Sequence, residues 1–162
     1  MKRLLLCRHA KSSWKDSSLA DIDRPLNKRG KMNAPEMGRR LLERGVKPDL
    51  VVSSPARRAY ATAVYLAGEL GVPEREIRVV EAIYDAYPMK LLEVIHAIDA
   101  GHDQVLMVGH NPETTVLANL LGRLRLENVP TCGIVALDFG VRSWEEIEEA
   151  QGTLVFFDSP RR

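Results

Sequence analysis

The sequence predicts an α/β fold with a mostly parallel central sheet flanked by helices. Three observations lead there. Short apolar runs of strand length (Leu4-Leu5-Leu6, Leu50-Val51-Val52, Ile77 to Val80, Val105 to Val108) alternate with longer stretches of helical period. The runs are apolar throughout, as strands covered on both faces are. The helical stretches open on Asn, Ser-Pro or Asn-Pro and close on glycine.

The first strand, from Leu4, stops near Arg8, because Ala10 to Asp16 has no apolar period. Successive strand residues point to opposite faces, so Arg8 and His9 can meet one ligand only if the chain leaves the strand between them. The polar stretch Lys11 to Leu26 is long for a connection and is read as functional or mobile. Asn27 caps a helix to about Glu43 or Arg44, with Gly45 as its stop. Pro35 leaves two options, a kink or a second start capped by Asn33. After Leu50 to Val52, Ser54 reads as a cap and Pro55 as the first residue of a helix ending at Gly71.

Ile77 to Val80 is the third strand, followed by Glu81-Ala82-Ile83-Tyr84. Pro88 to Ile98 is an amphipathic helix. Val105 to Val108 is the fourth strand and ends in Gly109-His110-Asn111-Pro112, where Asn111 caps a helix from Pro112 to Leu121. Ile134 to Phe139 and Thr153 to Phe157 close the sheet, and Ser143 to Ala150 reads as a short acidic helix.

A chain of 162 residues, 45% hydrophobic and 28% charged, suits one domain spanning residues 1–162. A formal net charge of +1, with no long run of one sign, argues against a nucleic-acid or membrane partner. No signal peptide and no membrane-length apolar run is read, so a cytoplasmic setting is expected. Cys7 and Cys132, both in apolar runs, are expected to be buried free thiols, and no spacing suggests a zinc site. Oligomeric state is not legible.

In parallel sheets ligands bind beyond the carboxyl ends of the strands. Three ends carry cations or histidines there: Arg8-His9, Arg57 and His110. Each alone has an ordinary explanation, as a solvated arginine or a satisfied histidine. Together they describe a site for phosphoryl transfer. Arginines hold phosphoryl oxygens through a planar fork, and a neutral imidazole is a nucleophile. A second histidine, if protonated, donates to oxygens that gain charge in the transition state. No glycine-rich phosphate loop and no metal-ligand cluster is present, so neither metal nor cofactor is expected.

These residues sit in pieces that resemble the histidine phosphatase superfamily, which includes phosphoglycerate mutases and acid phosphatases. The pieces are Leu6-Cys7-Arg8-His9-Ala10, the run Ser53 to Ala63, and Val108-Gly109-His110-Asn111-Pro112; Asp23 to Gly30 resembles the family's turn into its first helix. The resemblance spans nearly the whole chain and implies a three-layer, phosphoglycerate mutase-like architecture. It also implies that His9 becomes phosphorylated and that Arg8, Arg57 and His110 bind the phosphate. Ala10 stands where the family usually has glycine, and the Arg-His-Ala-Lys-Ser form looks like the SixA-type protein phosphohistidine phosphatases. Glu81, with Tyr84 three residues on, resembles the acid glutamate of the mutase branch in position; a plain surface role is the alternative.

The connections near 72–76, 99–104 and 122–130 are short, where mutases carry insertions that roof the pocket. An open site suits a phosphate displayed on a protein. The expected activity is therefore a metal-independent phosphatase acting on protein phosphohistidine in phosphorelay signalling. The alternatives are a phosphatase of small or O-linked phosphoesters and a phospho-binding module without turnover. Contacts of Lys11, Ser12 and Ser13 with substrate are left open.

Overall fold

A computed structural model of the chain describes residues 1–149 and 151–160. Its sheet contains β1 (Lys2–Arg8), β2 (Leu50–Ser53), β3 (Ile77–Val79), β4 (Gln104–Gly109), β5 (Ile134–Phe139) and β6 (Thr153–Asp158), in the order β3-β2-β4-β1-β5-β6. β1 to β4 are mutually parallel; β5 runs antiparallel to β1, and β6 antiparallel to β5.

Alternation along the strands sends side chains to two cores. Leu5, Cys7, Val51, Leu106 and Val108 pack under α1 (Lys28–Glu43) and α2 (Arg57–Glu69). Leu4, Leu6, Val52, Val105 and Met107 pack under α3 (Pro88–His96) and α4 (Glu113–Gly122). Helix, sheet and helix therefore make three layers. Cys7 and Cys132 are both buried and free, and a hydrogen bond with Cys132 together with burial pushes the Cys7 thiol well above its usual range.

Several boundaries differ from the sequence reading. α1 runs unbroken through Pro35, with the Asn27 side chain accepting from the Gly30 N–H at 2.9 Å, so there is no second start at Asn33. Proline removes one N–H donor there, and the buried Ala34, Met37 and Leu41 hold the helix to the sheet regardless. α2 begins at Arg57, two residues after Pro55, with Ala56 as its cap residue; the Ser54 hydroxyl accepts from the Ala56 N–H at 3.1 Å and meets His110 Nε2 at 2.8 Å. The acidic segment forms only a 3₁₀ turn, Trp144–Glu146, closed by a reciprocal Ser143–Glu146 cap; Ala150 lies outside the described residues. Trp144 is fully buried, and that burial fixes the turn.

The register sets the strand ends side by side. Val108 of β4 pairs with Cys7 of β1 on one edge and with Ser53 of β2 on the other. The residues that follow, His9, Ser54 and His110, therefore leave the sheet at one level.

Candidate active site

Beyond those ends lies a cleft of about 540 Å³. Arg8, His9 and His110 line it, as the sequence predicts for residues at neighbouring strand ends. The backbone leaves the strand as required: the His9 N–H donates to the Gly109 carbonyl at 3.0 Å, and the Cys132 N–H donates to the Arg8 and His9 carbonyls at 2.9 and 3.1 Å. Arg8 and His9 are thereby brought to the same cavity.

His9 is 8% exposed. Its Nδ1 lies 2.7 Å from the Ala10 carbonyl, which can only accept, so the ring hydrogen is on Nδ1 and Nε2 carries the lone pair. Burial, opposed by that hydrogen bond and aided by the charges of Arg58, Arg8 and Arg24, lowers the His9 pKa to about 4. At neutral pH the ring is uncharged beside three guanidinium groups, as a nucleophile would need to be.

His110 lies close by, its ring centroid 5.2 Å from that of His9. Its Nε2 meets the Ser54 hydroxyl at 2.8 Å. Ser54 Oγ already accepts from the Ala56 N–H at 3.1 Å, so its own hydrogen is free to donate to Nε2. That assignment leaves the ring hydrogen on Nδ1. Burial first, then the charges of His9 and Arg58, lowers the His110 pKa to about 3. The condition that His110 be protonated is thus not met at neutral pH: the ring is neutral, with one N–H donor.

Arg57 is a correction. It is exposed and absent from the cleft wall, whereas Arg58 is 6% exposed and lines it. The reason is helical phase. Arg58 shares a face with Thr62 and Leu66, both buried, and Thr62 reaches the nucleophile's loop by accepting from the Ala10 N–H at 2.9 Å. Arg57, one residue earlier, falls in line with Ala61 and the exposed Tyr65.

Glu81 is another. It is exposed, opens the 3₁₀ turn Glu81–Ile83 and does not reach the cleft. β3 is the edge strand, one position farther from β1 than β2 is, and the turn after it buries Ile83 and sends Tyr84 to the cleft instead.

The polar loop forms one wall, contributing Lys11, Ser12, Trp14, Asp21 and Arg24. It is pinned by the Ser12–Leu26 bridge and by the Ser13 N–H donating to the Pro25 carbonyl at 2.8 Å. Ser13 itself lies outside the cleft, its carbonyl accepting from Arg24 at 3.2 Å. Asp21 is the hub. Arg58 donates to its carbonyl at 2.7 Å and to Oδ2 at 3.0 Å, Arg24 Nε donates to Oδ1 at 3.1 Å, and the Tyr84 hydroxyl donates to Oδ2 at 2.7 Å. Those hydrogen bonds, Tyr84's first, pull the Asp21 pKa down to about 2. Arg24 also stacks on Trp14, 3.5 Å from its ring centroid.

Sequence reasoning missed Arg58, Asp21, Arg24, Tyr84 and Glu113. Glu113, in the first turn of α4, is 5% exposed and lines the cleft; burial, with Asp85 nearby, raises its pKa. The cleft can therefore gather phosphoryl oxygens at Arg8 and Arg58, whose Nε atoms are buried with no acceptor among the described residues. It faces them with an unprotonated ring nitrogen. Among the described residues no three His, Cys, Asp or Glu side chains group as a metal site would need, and no helix is long and apolar enough to cross a membrane.

The buried neutral histidines make stability depend on pH. Unfolded histidines bind protons below about 6.5, the folded pair only near 4 and 3. The unfolded state binds more protons in that window, so stability should fall as pH drops from about 6.5 towards 4. Urea melts at pH 7 and pH 5 check this; an unchanged midpoint would show that the two rings are not held neutral.

Three comparisons bear on the family. A family model described as the histidine phosphatase superfamily (branch 1) matches residues 4–84. An uncharacterized protein of Mycobacterium tuberculosis is 33% identical over 164 residues, covering 95% of this chain and 99% of its own length. An uncharacterized chloroplastic protein of Arabidopsis thaliana is 31% identical over 153 residues, covering 90% and 70%. Among solved structures, a protein of Agrobacterium tumefaciens provisionally named phosphohistidine phosphatase SixA superposes with a TM-score of 0.82 at 27% identity, over 98% of both chains.

Proposed function

The chain belongs to the histidine phosphatase superfamily, and from that premise we propose that it removes phosphate from phosphohistidine on a protein by way of a phosphorylated His9. The coarse activity, a phosphatase, is that of the family and of its structural neighbours. The observation that carries the mechanism is the His9 ring, fixed through Nδ1 with Nε2 free among three arginines. A SixA-like fold supports a protein-borne phosphate, and so does the short segment 84–87, whose Tyr84, Asp85 and Ala86 line the cleft, rather than the connections 72–76, 99–104 and 122–130 of the sequence reading, which do not.

The chemistry runs in two displacements. Nε2 of His9 attacks phosphorus, the P–N or P–O bond to the leaving group breaks, and its electron pair departs with the leaving atom. Arg8 and Arg58 follow the charge on the transferring oxygens, and the Nδ1–H of His110 donates to one of them. Water then attacks the phosphorylated His9, the P–N bond breaks, and its pair returns to Nε2.

The departing atom needs a proton. Asp21 is ionised, Asp85 is exposed, and Glu113 is the buried carboxyl whose pKa is raised. Glu113 takes the acid role assigned by position to Glu81, and as a carboxylate it accepts the proton from the attacking water. An alkoxide depends on such an acid by roughly a hundred- to ten-thousand-fold. An imidazole, with a pKa of about 6.5, depends on it far less. Glu113→Gln should therefore slow hydrolysis of an alkyl phosphate by about a hundredfold or more, and of phosphohistidine much less. Equal loss on both substrates would remove Glu113 from the chemistry.

The activity itself is tested by comparing kcat/KM on a phosphohistidine-bearing protein with that on aryl and alkyl phosphates, using one preparation. Preference for the phosphohistidine protein is expected. A small phosphoester turned over faster by orders of magnitude would overturn the substrate reading.

A further inference from the structure

A second cavity, of about 360 Å³, adjoins the first and shares Arg8, Lys11 and Thr131 with it. Arg29, Asn33 and Asn128 complete its polar wall, and among the described residues no carboxylate lines it. Lys11 and Arg29 are exposed, and neither side chain has a hydrogen bond or ion pair among the described residues. The arginines of the neighbouring cleft wall, Arg24 and Arg58, are by contrast both paired with Asp21. In a chain of net charge +1, three cations around one hollow with no carboxylate among the described residues is a concentration of one sign.

The two cations are held together by backbone. The Asn27 N–H donates to the Lys11 carbonyl at 2.9 Å, and Gly30 lies so close to Lys11 that a Cβ there would overlap its carbonyl oxygen. The first turn of α1, which carries Arg29, is thus docked on the strand-end loop that carries Lys11. The main cleft differs from the hollow in carrying carboxylates, Asp21 among them, paired with Arg24 and Arg58. Asp85 and Glu113 stand among its lining residues, and the basic hollow opens from the Arg8 and Lys11 part of its wall.

We propose that this hollow is a second anion subsite, which takes carboxylate side chains flanking the phosphorylated residue of the substrate protein. The proposal rests on the protein-phosphohistidine reading above. Lys11 and Arg29 set specificity by meeting the flanking acid while Arg8, shared by both cavities, holds the phosphoryl group. Complementary charge of this kind acts on binding and encounter more than on the chemical step.

Two phosphohistidine peptides of equal length test it, one with glutamates beside the phosphorylated residue and one with alanines. The wild-type enzyme should show a KM for the acidic peptide about three- to tenfold lower, the range two partly exposed charge pairs provide, and added salt should narrow the gap. Arg29→Ala should shrink the ratio of the two KM values, Lys11 keeping part of it, and Arg29→Glu should shrink it further. A loss of folded enzyme lowers both rates and leaves that ratio untouched. Equal KM values in the wild type, or a ratio unmoved by Arg29→Glu, would overturn the subsite. If neither phosphohistidine peptide were turned over, the activity reading would fail, and the same acidic and neutral pair built on phosphoserine would decide the subsite by itself.

Discussion

His9→Ala is expected to form no phosphoenzyme and to lose roughly three to six orders of magnitude in turnover, the scale seen when a covalent nucleophile is removed. Its ring is neutral at working pH because burial and three cations hold its pKa near 4. Its reactive nitrogen is the one not bonded to the Ala10 carbonyl. No other described side chain at the cleft combines those properties: His110 Nε2 is engaged by Ser54. The measurement is brief mixing of the wild type with labelled substrate followed by a quench. The retained phosphoryl group should survive alkali and be released by acid, and the His9→Ala enzyme should retain none. A His9→Ala enzyme with wild-type turnover would end the covalent mechanism.

Arg58→Lys should lower kcat/KM by about a hundred- to a thousandfold, as loss of an oriented donor to developing charge does, while Arg57→Lys should change it by less than about twofold. Lysine keeps the charge at Arg58 but loses the fork that spans the Asp21 carbonyl and carboxylate at 2.7 and 3.0 Å. Part of the loss should appear in kcat, because arginine follows charge that grows on the transferring group. Assays of both variants on one substrate settle the matter. The reverse pattern would return the phosphate-binding role to Arg57.

Strand ends were readable because their physics is local. An apolar run that stops at Arg8, and another that stops at Gly109 before a histidine, mark the carboxyl edge of a parallel sheet without any knowledge of contacts. The choice between Arg57 and Arg58 was also legible, in the phase of Thr62 and Leu66 along α2. The sequence reading took the arginine nearer the strand end instead, and it placed the helix start at Pro55, two residues early. Glu113 and Asp21 were not legible at all. Their significance comes from burial against segments far away in sequence, and neither residue type nor spacing announces it.

The pairing of Asp21 with Arg58 and Arg24 shapes the whole catalytic cycle. Arg58 would lose up to about 2 kcal/mol of rotamer freedom on meeting a phosphate and loses it when the chain folds, while Arg24 holds the same carboxylate in place. The substrate then finds its donors already aimed. The same carboxylate, ionised down to a pKa of about 2, stands in the pocket as a like charge to inorganic phosphate. That charge meets substrate and product phosphates alike, so what the pairing leaves to the pocket is an Arg58 fork whose ordering costs little at the moment of binding.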